Sequence, residues 1–291
     1  LDPYYGHFAA ERVMSIPGSA SPLFFQAAAA AAAPAAVATK SLRFNEADSA
    51  YLHRTPSSAG NRTTWTWSCW YKRGKIGHYN QLFNASTAVN NYTQVYIESD
   101  DTFVIASNSS AGGNRYIISE RLLRDPSAWY HLVAVFDTTN STQADRMRLY
   151  VNGERITNFS NSSLIGQNVE GNINSTNQHS IGSVQPLGTN GRLDGYLADV
   201  YFIDGSALDP TSFGAFDSNN VWQAAAFSGT YGTNGFHLNF ADNSSNAALG
   251  TDSSGNSNTF TVNNLFAATA AAADYSTGQV TGSESGFVSG Y

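Results

Sequence analysis

Residues 64–72, TWTWSCWYK, alternate with the two-residue period of a strand, placing Trp65, Trp67, Cys69 and Tyr71 on one strongly apolar face and Thr66, Ser68 and Trp70 on the other. Residues 129–136, WYHLVAVF, are apolar at nearly every position, which predicts a central strand covered on both sides. In residues 146–157, RMRLYVNGERIT, Met147, Leu149 and Val151 alternate up to Asn152-Gly153, the pair that best tolerates the positive φ values of a type I′ hairpin. Trp129, Asn152 and Gly153 are therefore read as determinants of folding rather than of ligand binding. Further strands are predicted at residues 94–98, 103–106, 116–119 and 195–203, separated by clusters of Asn, Gly and Asp. Many short strands with almost no amphipathic helix predict an all-β antiparallel sandwich or barrel.

Three zones separate by composition. Residues 1–39 form an Ala/Pro-rich N-terminal arm and residues 40–227 a strand-rich body. Residues 228–265 are a Gly/Ser/Asn-rich extension with strand character, followed by a tail at 266–291. The arm holds Leu23, Phe24 and Phe25 before the run Ala27 to Ala33, which Pro34 stops. A short Ala helix is marginal alone, so the arm is expected to be a docking device for a neighbouring subunit, with a disordered leader as the alternative. It does not read as a cleaved signal peptide, because no basic region flanks Met14 and Gln26 and Pro34 interrupt the apolar run.

Composition narrows the function classes. Only 13% of the 291 residues are charged and the formal net charge is −7, with no basic stripe, which argues against nucleic-acid binding. No apolar run approaches the roughly 20 residues of a membrane span, so no membrane insertion is expected. Cys69 is the single cysteine, which leaves no intramolecular disulfide.

Several segments, taken in order, resemble the concanavalin A-like lectin/glucanase superfamily, laminin-G branch: SLRFNEADSAYL (41–52), WTWSCWYKRG (65–74), WYHLVAVFDTT (129–139), RLYVNGERI (148–156) and GRLDGYLADVYFIDGSALDPTSFGAF (191–216). The resemblance implies a jelly-roll sandwich. The unit FHLNFADNSSNAALGTDSSGNSNTFTV (236–262) is similar to an element that precedes the body in many such domains. Here it follows, and it is expected either to complete the same sandwich in permuted order or to form a separate small subdomain. The wording of the chain from Met14 to about Leu265 also resembles virion structural proteins of aquatic bacteriophages. That resemblance implies a protein assembled in the host cytoplasm and displayed on the virion surface. It would be a capsid decoration or fibre-like appendage, a homo-oligomer partnered with other virion subunits through the arm.

The fold hosts lectins, glycosidases and inert modules, so candidate chemistry has to be weighed residue by residue. A retaining glycosidase needs two carboxylates about 5 Å apart. The dense acidic cluster Glu98, Asp100 and Asp101 reads better as a turn, and no catalytic residue is assigned. Cys69 lies in an apolar strand face with no basic neighbour, as an inert core thiol. His7, His53, His78, His131, His179 and His237 are scattered without metal-ligand spacing. No cofactor is assigned. Calcium, bound by relatives at the sandwich rim, would use Asp194 and Asp204, with Asp199, Asp242, Asn243 and Asp252 as further oxygens, although none forms a dense ligand loop. A carbohydrate-binding adhesin recognising host-surface glycan is the alternative function. Its aromatic platform and amides would come from Trp70, Tyr92, Tyr116 and Trp222 with Asn90, Asn91, Asn190 and Arg192, against the alternative that such rings are core. Nine Asn-x-Ser/Thr triplets, at Asn61, Asn84, Asn91, Asn108, Asn140, Asn158, Asn161, Asn174 and Asn243, are expected from the Asn/Ser/Thr-rich composition and are read as unmodified.

Overall fold

The computed structural model describes residues 38–184 and 191–267, and the backbone of a short strand at Tyr275–Thr277. Leu23, Phe24, Phe25 and Asn190 lie outside the described residues. In chain order the strands begin β1 (Lys40–Phe44), β2 (Tyr51–Arg54), β3 (Thr64–Arg73), β4 (Asn80–Ala88), β5 (Asn91–Ile97) and β6 (Thr102–Ser109). They continue with β7 (Gly113–Leu122), β8 (Trp129–Asp137), β9 (Met147–Val151), β10 (Glu154–Arg155), β11 (Phe159–Ser163) and β12 (His179–Ile181). The last are β13 (Gly195–Asp204), β14 (Gly214–Phe216), β15 (Trp222–Ala224), β16 (Phe236–Leu238), β17 (Thr261–Asn263) and β18 (Tyr275–Thr277).

Two antiparallel sheets face each other. The first runs β10-β9-β8-β3-β13-β1-β18 with β16 also on β13, and the second runs β11-β7-β6-β5-β4-β12-β2-β17. The chain is an all-β sandwich. Trp65, Trp67, Cys69 and Tyr71 of β3 point into the core between the sheets, where Trp67 stacks on Phe83 of the opposite sheet at 6.5 Å and Phe83 meets Phe202 at 5.5 Å. Burial pushes the Cys69 thiol well above its ordinary pKa, which keeps it protonated and unreactive.

On the other face of β3, Thr66, Ser68 and Trp70 are buried too. Residues 205–231 fold back over this outer face, and Trp222 and Ala224 pack on Trp70, Trp129 and Ala198. Beside them Phe213, Phe227 and Tyr231 pack on Val133, Val135, Tyr201 and Ile203. A third layer therefore seals the first sheet, which is why β8 is apolar on both faces.

The β9–β10 turn has Asn152 at φ 51° and Gly153 at φ 81°, the two positive values of a type I′ turn. Asn152 also accepts the His131 N–H on its Oδ1 at 2.8 Å, extending the ladder into the turn.

The segment after the body adds a strand to each sheet, β16 on β13 and β17 on β2. It is fastened by a buried polar network at one end of the sandwich. Asp204 accepts the Asn61 and Asn234 N–H groups, and Asn234 Nδ2 donates to Ser58 O and Asn174 Oδ1. Arg54 bonds both Asn234 and Asn258. The loop at 252–258 is tied by Asp252, which accepts the N–H groups of His237, Ser254 and Asn258. Among the described residues no helix is long and apolar enough to cross a membrane.

Candidate functional site

The tryptophans proposed from sequence as a sugar platform are not on a free surface. Trp70, 1% exposed, lies under the third layer, and Trp222, 2% exposed, belongs to that layer and faces the sheet. Trp222 Nε1 donates to His131 Nδ1 at 3.0 Å, so that nitrogen is the acceptor and Nε2 carries the proton, facing Ser68 Oγ at 2.9 Å. Burial pushes the His131 imidazole down to about 3, and it stays neutral. These groups fasten the covering layer to the sheet. The apolar run of β8 predicted a strand covered on both sides, but the alternation of β3 gave no sign that the cover reaches Trp70, because it comes from a segment distant in the chain.

Tyr92 and Tyr116 do share a surface, the outer face of the second sheet. Three cross-strand rows build it over β5, β6 and β7. Tyr92 pairs with Asn108, which pairs with Asn114; Gln94 with Ala106 and Tyr116; and Tyr96 with Val104 and Ile118. Alternate residues such as Val95, Ile97, Phe103, Ile105 and Ile117 enter the core, so the rows point outward. A bulge in β4 sends Leu82 and Phe83 together into the core and keeps Gln81 outward beside Tyr96. Tyr79 stacks on Tyr96 at 4.7 Å and donates to Gln81 and Gln94 Oε1 at 3.1 and 3.3 Å. Tyr92 donates to Asn114 Oδ1 at 3.2 Å.

Tyr92, Tyr96 and Tyr116 are half-buried, and burial raises the Tyr92 and Tyr96 phenols above their ordinary pKa, keeping them neutral. No Lys, Arg, Asp or Glu belongs to the three rows. The surface thus offers three half-buried rings with the amides of Asn108 and Asn114, while Gln94, Val104 and Ala106 lie buried between them. Sequence analysis found Tyr92 and Tyr116 and missed Tyr96 and the two amides. Their signal was the period-two spacing Tyr92, Gln94, Tyr96 along β5.

Arg192 belongs elsewhere. Its carbonyl accepts from His78 Nε2 at 2.9 Å, and neighbouring Gly191 O accepts the Gln81 N–H. Gln81 lies opposite Tyr96, four residues or roughly 13 Å from Tyr92 at about 3.3 Å per residue.

The acidic residues are occupied with structure. Glu98 Oε1 accepts the N–H and Oγ of Ser99, and Asp100 Oδ1 accepts those of Thr102. Asp101, at φ 74°, is buried between Arg73 and Arg124, each at 2.8 Å. They build the turn from β5 to β6. Asp194 and Asp204 flank and end the ten-residue β13, about 30 Å apart at about 3.3 Å per residue, and cannot share one calcium ion. Asp194 instead meets Arg43 at 3.5 Å, while Asp199 bonds His237 and Tyr201. Among the described residues no group of three His, Cys, Asp or Glu could hold a metal. Of the Asn-x-Ser/Thr triplets, Asn84 and Asn174 are fully buried, out of reach of any glycosylating enzyme.

At the end of β5, on the side of the sheet away from Tyr92, lies a rim cleft of about 410 Å³, lined by Arg62, Asn91, Ser109, Asn168, Glu170 and Asn172 among others.

A family model described as the concanavalin A-like lectin/glucanases superfamily, laminin-G type, matches residues 45–212. No curated protein sequence matches the chain. Among solved structures, a "putative carbohydrate binding protein" from Bacteroides ovatus ATCC 8483 is 14% identical with a TM-score of 0.52, over 78% of this chain and 58% of that one. A heptameric SAP-like pentraxin from Limulus polyphemus is 20% identical with a TM-score of 0.43, over 59% and 78%. Domains LG4-5 of the mouse laminin α1 chain are 12% identical with a TM-score of 0.42, over 61% and 44%. At these identities the likeness concerns the fold.

Proposed function

We propose that this chain, which belongs to the concanavalin A-like lectin/glucanase superfamily, is a non-catalytic glycan-binding module that uses the outer face of its second sheet. The observation that carries the reading is the asymmetry of the two sheets. The first is sealed by residues 205–231, whereas the second presents the half-buried Tyr92, Tyr96 and Tyr116 with Asn108 and Asn114, and its three rows hold no charged residue. Pyranose rings stack their C–H faces on aromatic side chains, and their hydroxyls pair with amide donors and acceptors. The "carbohydrate binding" description of the Bacteroides ovatus protein, which has the same fold, accords with this reading. The absence of charge in the three rows favours neutral sugars over sialylated or sulfated ones.

The setting we propose is the virion surface, with residues 1–39 docking the sandwich to other virion subunits or to a sister copy. It is supported by the resemblance of the chain to phage structural proteins. Immobilised neutral and acidic glycans, probed with wild-type protein and with Tyr92→Ala, Tyr96→Ala and Tyr116→Ala, test the binding reading. Wild type should bind neutral members, and each variant should lose about tenfold in affinity, or about 1.4 kcal/mol. Binding that survives all three substitutions would place the site elsewhere.

A further inference from the structure

We infer that the segment from Gly232 to Asn263 is an acid-releasable latch, which lifts off the sandwich as a unit below neutral pH because two histidines hold it by acting as hydrogen-bond acceptors. His179 of β12 is the first. Its Nδ1 donates to Asn177 O at 2.8 Å, which leaves Nε2 without a proton, and Nε2 accepts the Asn174 N–H at 2.7 Å. Asn174 is the hub of the polar network at this end of the sandwich. Its Nδ2 donates to Asn61 O at 2.9 Å and to Asp204, and its Oδ1 accepts from Asn234 Nδ2 at 2.9 Å. His53 of β2 is the second. Its Nδ1 accepts from Asn263 Nδ2 at 2.8 Å, on the strand β17 that pairs with β2.

A proton on either imidazole turns the accepting nitrogen into a donor aimed at another donor, and the bond is lost. His237 on β16 works in the opposite sense, since its Nε2 donates to the Asp199 carboxylate and keeps that contact when charged. The segment can move as a unit because it is bonded to itself. Asn258 Nδ2 donates to Thr233 O at 2.9 Å and Gly235 O at 2.8 Å, and Asn256 Nδ2 donates to Gly232 O at 2.7 Å and Gly235 O at 2.9 Å.

The same segment keeps His179 from water. His179 is 4% exposed and borders a small internal void together with Asn234, Phe236 and Phe260 of the segment. Lifting the segment hydrates the ring, so the open form takes up a proton that the closed form refuses. The charged group facing His179 is Arg54, its cross-strand partner on β2, which repels a second positive charge. From β4 the uncharged Phe83 and Ala85 face it, while Asp204 stands behind Asn174, and Asp252 acts on Arg54 from the segment. His53 has the Tyr51 ring at 5.8 Å and Ser180 across the ladder. Burial holds the His179 imidazole at about 4 and lowers that of His53 as well. The closed form is therefore favoured in full above the ordinary value of 6.5 and loses ground as pH falls toward 4.

The test is hydrogen–deuterium exchange of the full chain at pH 7.5 and 5.0, followed by mass spectrometry and corrected for the intrinsic exchange rate at each pH. In wild type the opening constant of peptides within 232–263 should rise about thirtyfold on acidification, the ratio given by an imidazole that moves from about 4 to 6.5 on opening. Peptides from β3 and β8 should stay protected. His53→Gln and His179→Gln, which put a non-titrating amide in place of each ring, should both lower the response, the second to a few-fold. An unchanged opening constant in wild type would overturn the latch. So would a parallel rise in β3 and β8, which is global unfolding, or a full response in both variants. Should His179→Gln fail to fold, the wild-type ratio and the variant at the partly exposed His53 decide the matter.

Discussion

Adding a single methyl group at Gly153 tests how the third layer is held to the first sheet. Gly153 sits at φ 81°, and a β-carbon built there falls 2.5 Å from two ring carbons of Trp222. Left-handed backbone costs a residue with a β-carbon roughly 1–2 kcal/mol. The indole cannot stay where it is, and displacing it forfeits the bond from Nε1 to His131, leaving buried polar atoms unpaired at about 1–3 kcal/mol. Gly153→Ala should therefore lose about 2–5 kcal/mol from a total stability of roughly 5–15 kcal/mol, and Gly153→Val, with a branched side chain, more. In a Trp222→Ala background the obstruction is gone, and Gly153→Ala should cost only the backbone part. Urea unfolding followed by fluorescence measures all four corners of this cycle, with an expected coupling of about 1–3 kcal/mol. If Gly153→Ala costs the same with and without the Trp222 ring, the turn and the covering layer are not in contact as described. Soluble Gly153→Val protein with an unchanged urea midpoint would also contradict the left-handed turn.

Four further outcomes are expected. His131 and His179 are held neutral by burial, at about 3 and about 4, with the Asn177 carbonyl partly opposing the shift at His179. Their contribution is complete above the unfolded value near 6.5 and is lost as pH falls toward the folded values. Stability should thus drop by up to about 2.7 kcal/mol per pH unit near pH 5, and urea midpoints that are flat between pH 7.5 and 5 would refute this. Asp101→Asn keeps the shape and tolerates the positive φ but strands the fully buried Arg73 guanidinium, which should cost about 3–5 kcal/mol in the same assay. Glu98→Gln should leave glycan binding unchanged and release of reducing sugar from host polysaccharide absent in both proteins, whereas hydrolysis abolished by this substitution would make the chain an enzyme. Deleting residues 1–38 should abolish incorporation into particles, measured by composition of purified virions, and wild-type incorporation would remove the docking role of the arm.

Local pattern by itself determined the strands with regular alternation and the tight turn. β3, β8 and β13 lie within a residue of their expected bounds, and Asn152-Gly153 adopts its turn, because side-chain period and turn chemistry are properties of a few adjacent residues. β4 was not legible: its sequence NQLFNASTA breaks alternation at a bulge and buries Asn80, Gln81, Asn84 and Ser86 as well as its apolar side chains. β12 and β14 to β17, of three residues each, are too short to carry a period, and β11, FSNSS, is polar after Phe159. Only the tertiary structure decided which aromatic residues are buried. Trp70 and Tyr92 look equally suited to a sugar platform in the sequence, yet the back-folding of residues 205–231 closes the face that carries Trp70 and leaves the one that carries Tyr92. The apolar run of β8 records that its second face is buried, but which segment buries it, and that the cover extends over Trp70 of β3, depend on what the rest of the chain lays there.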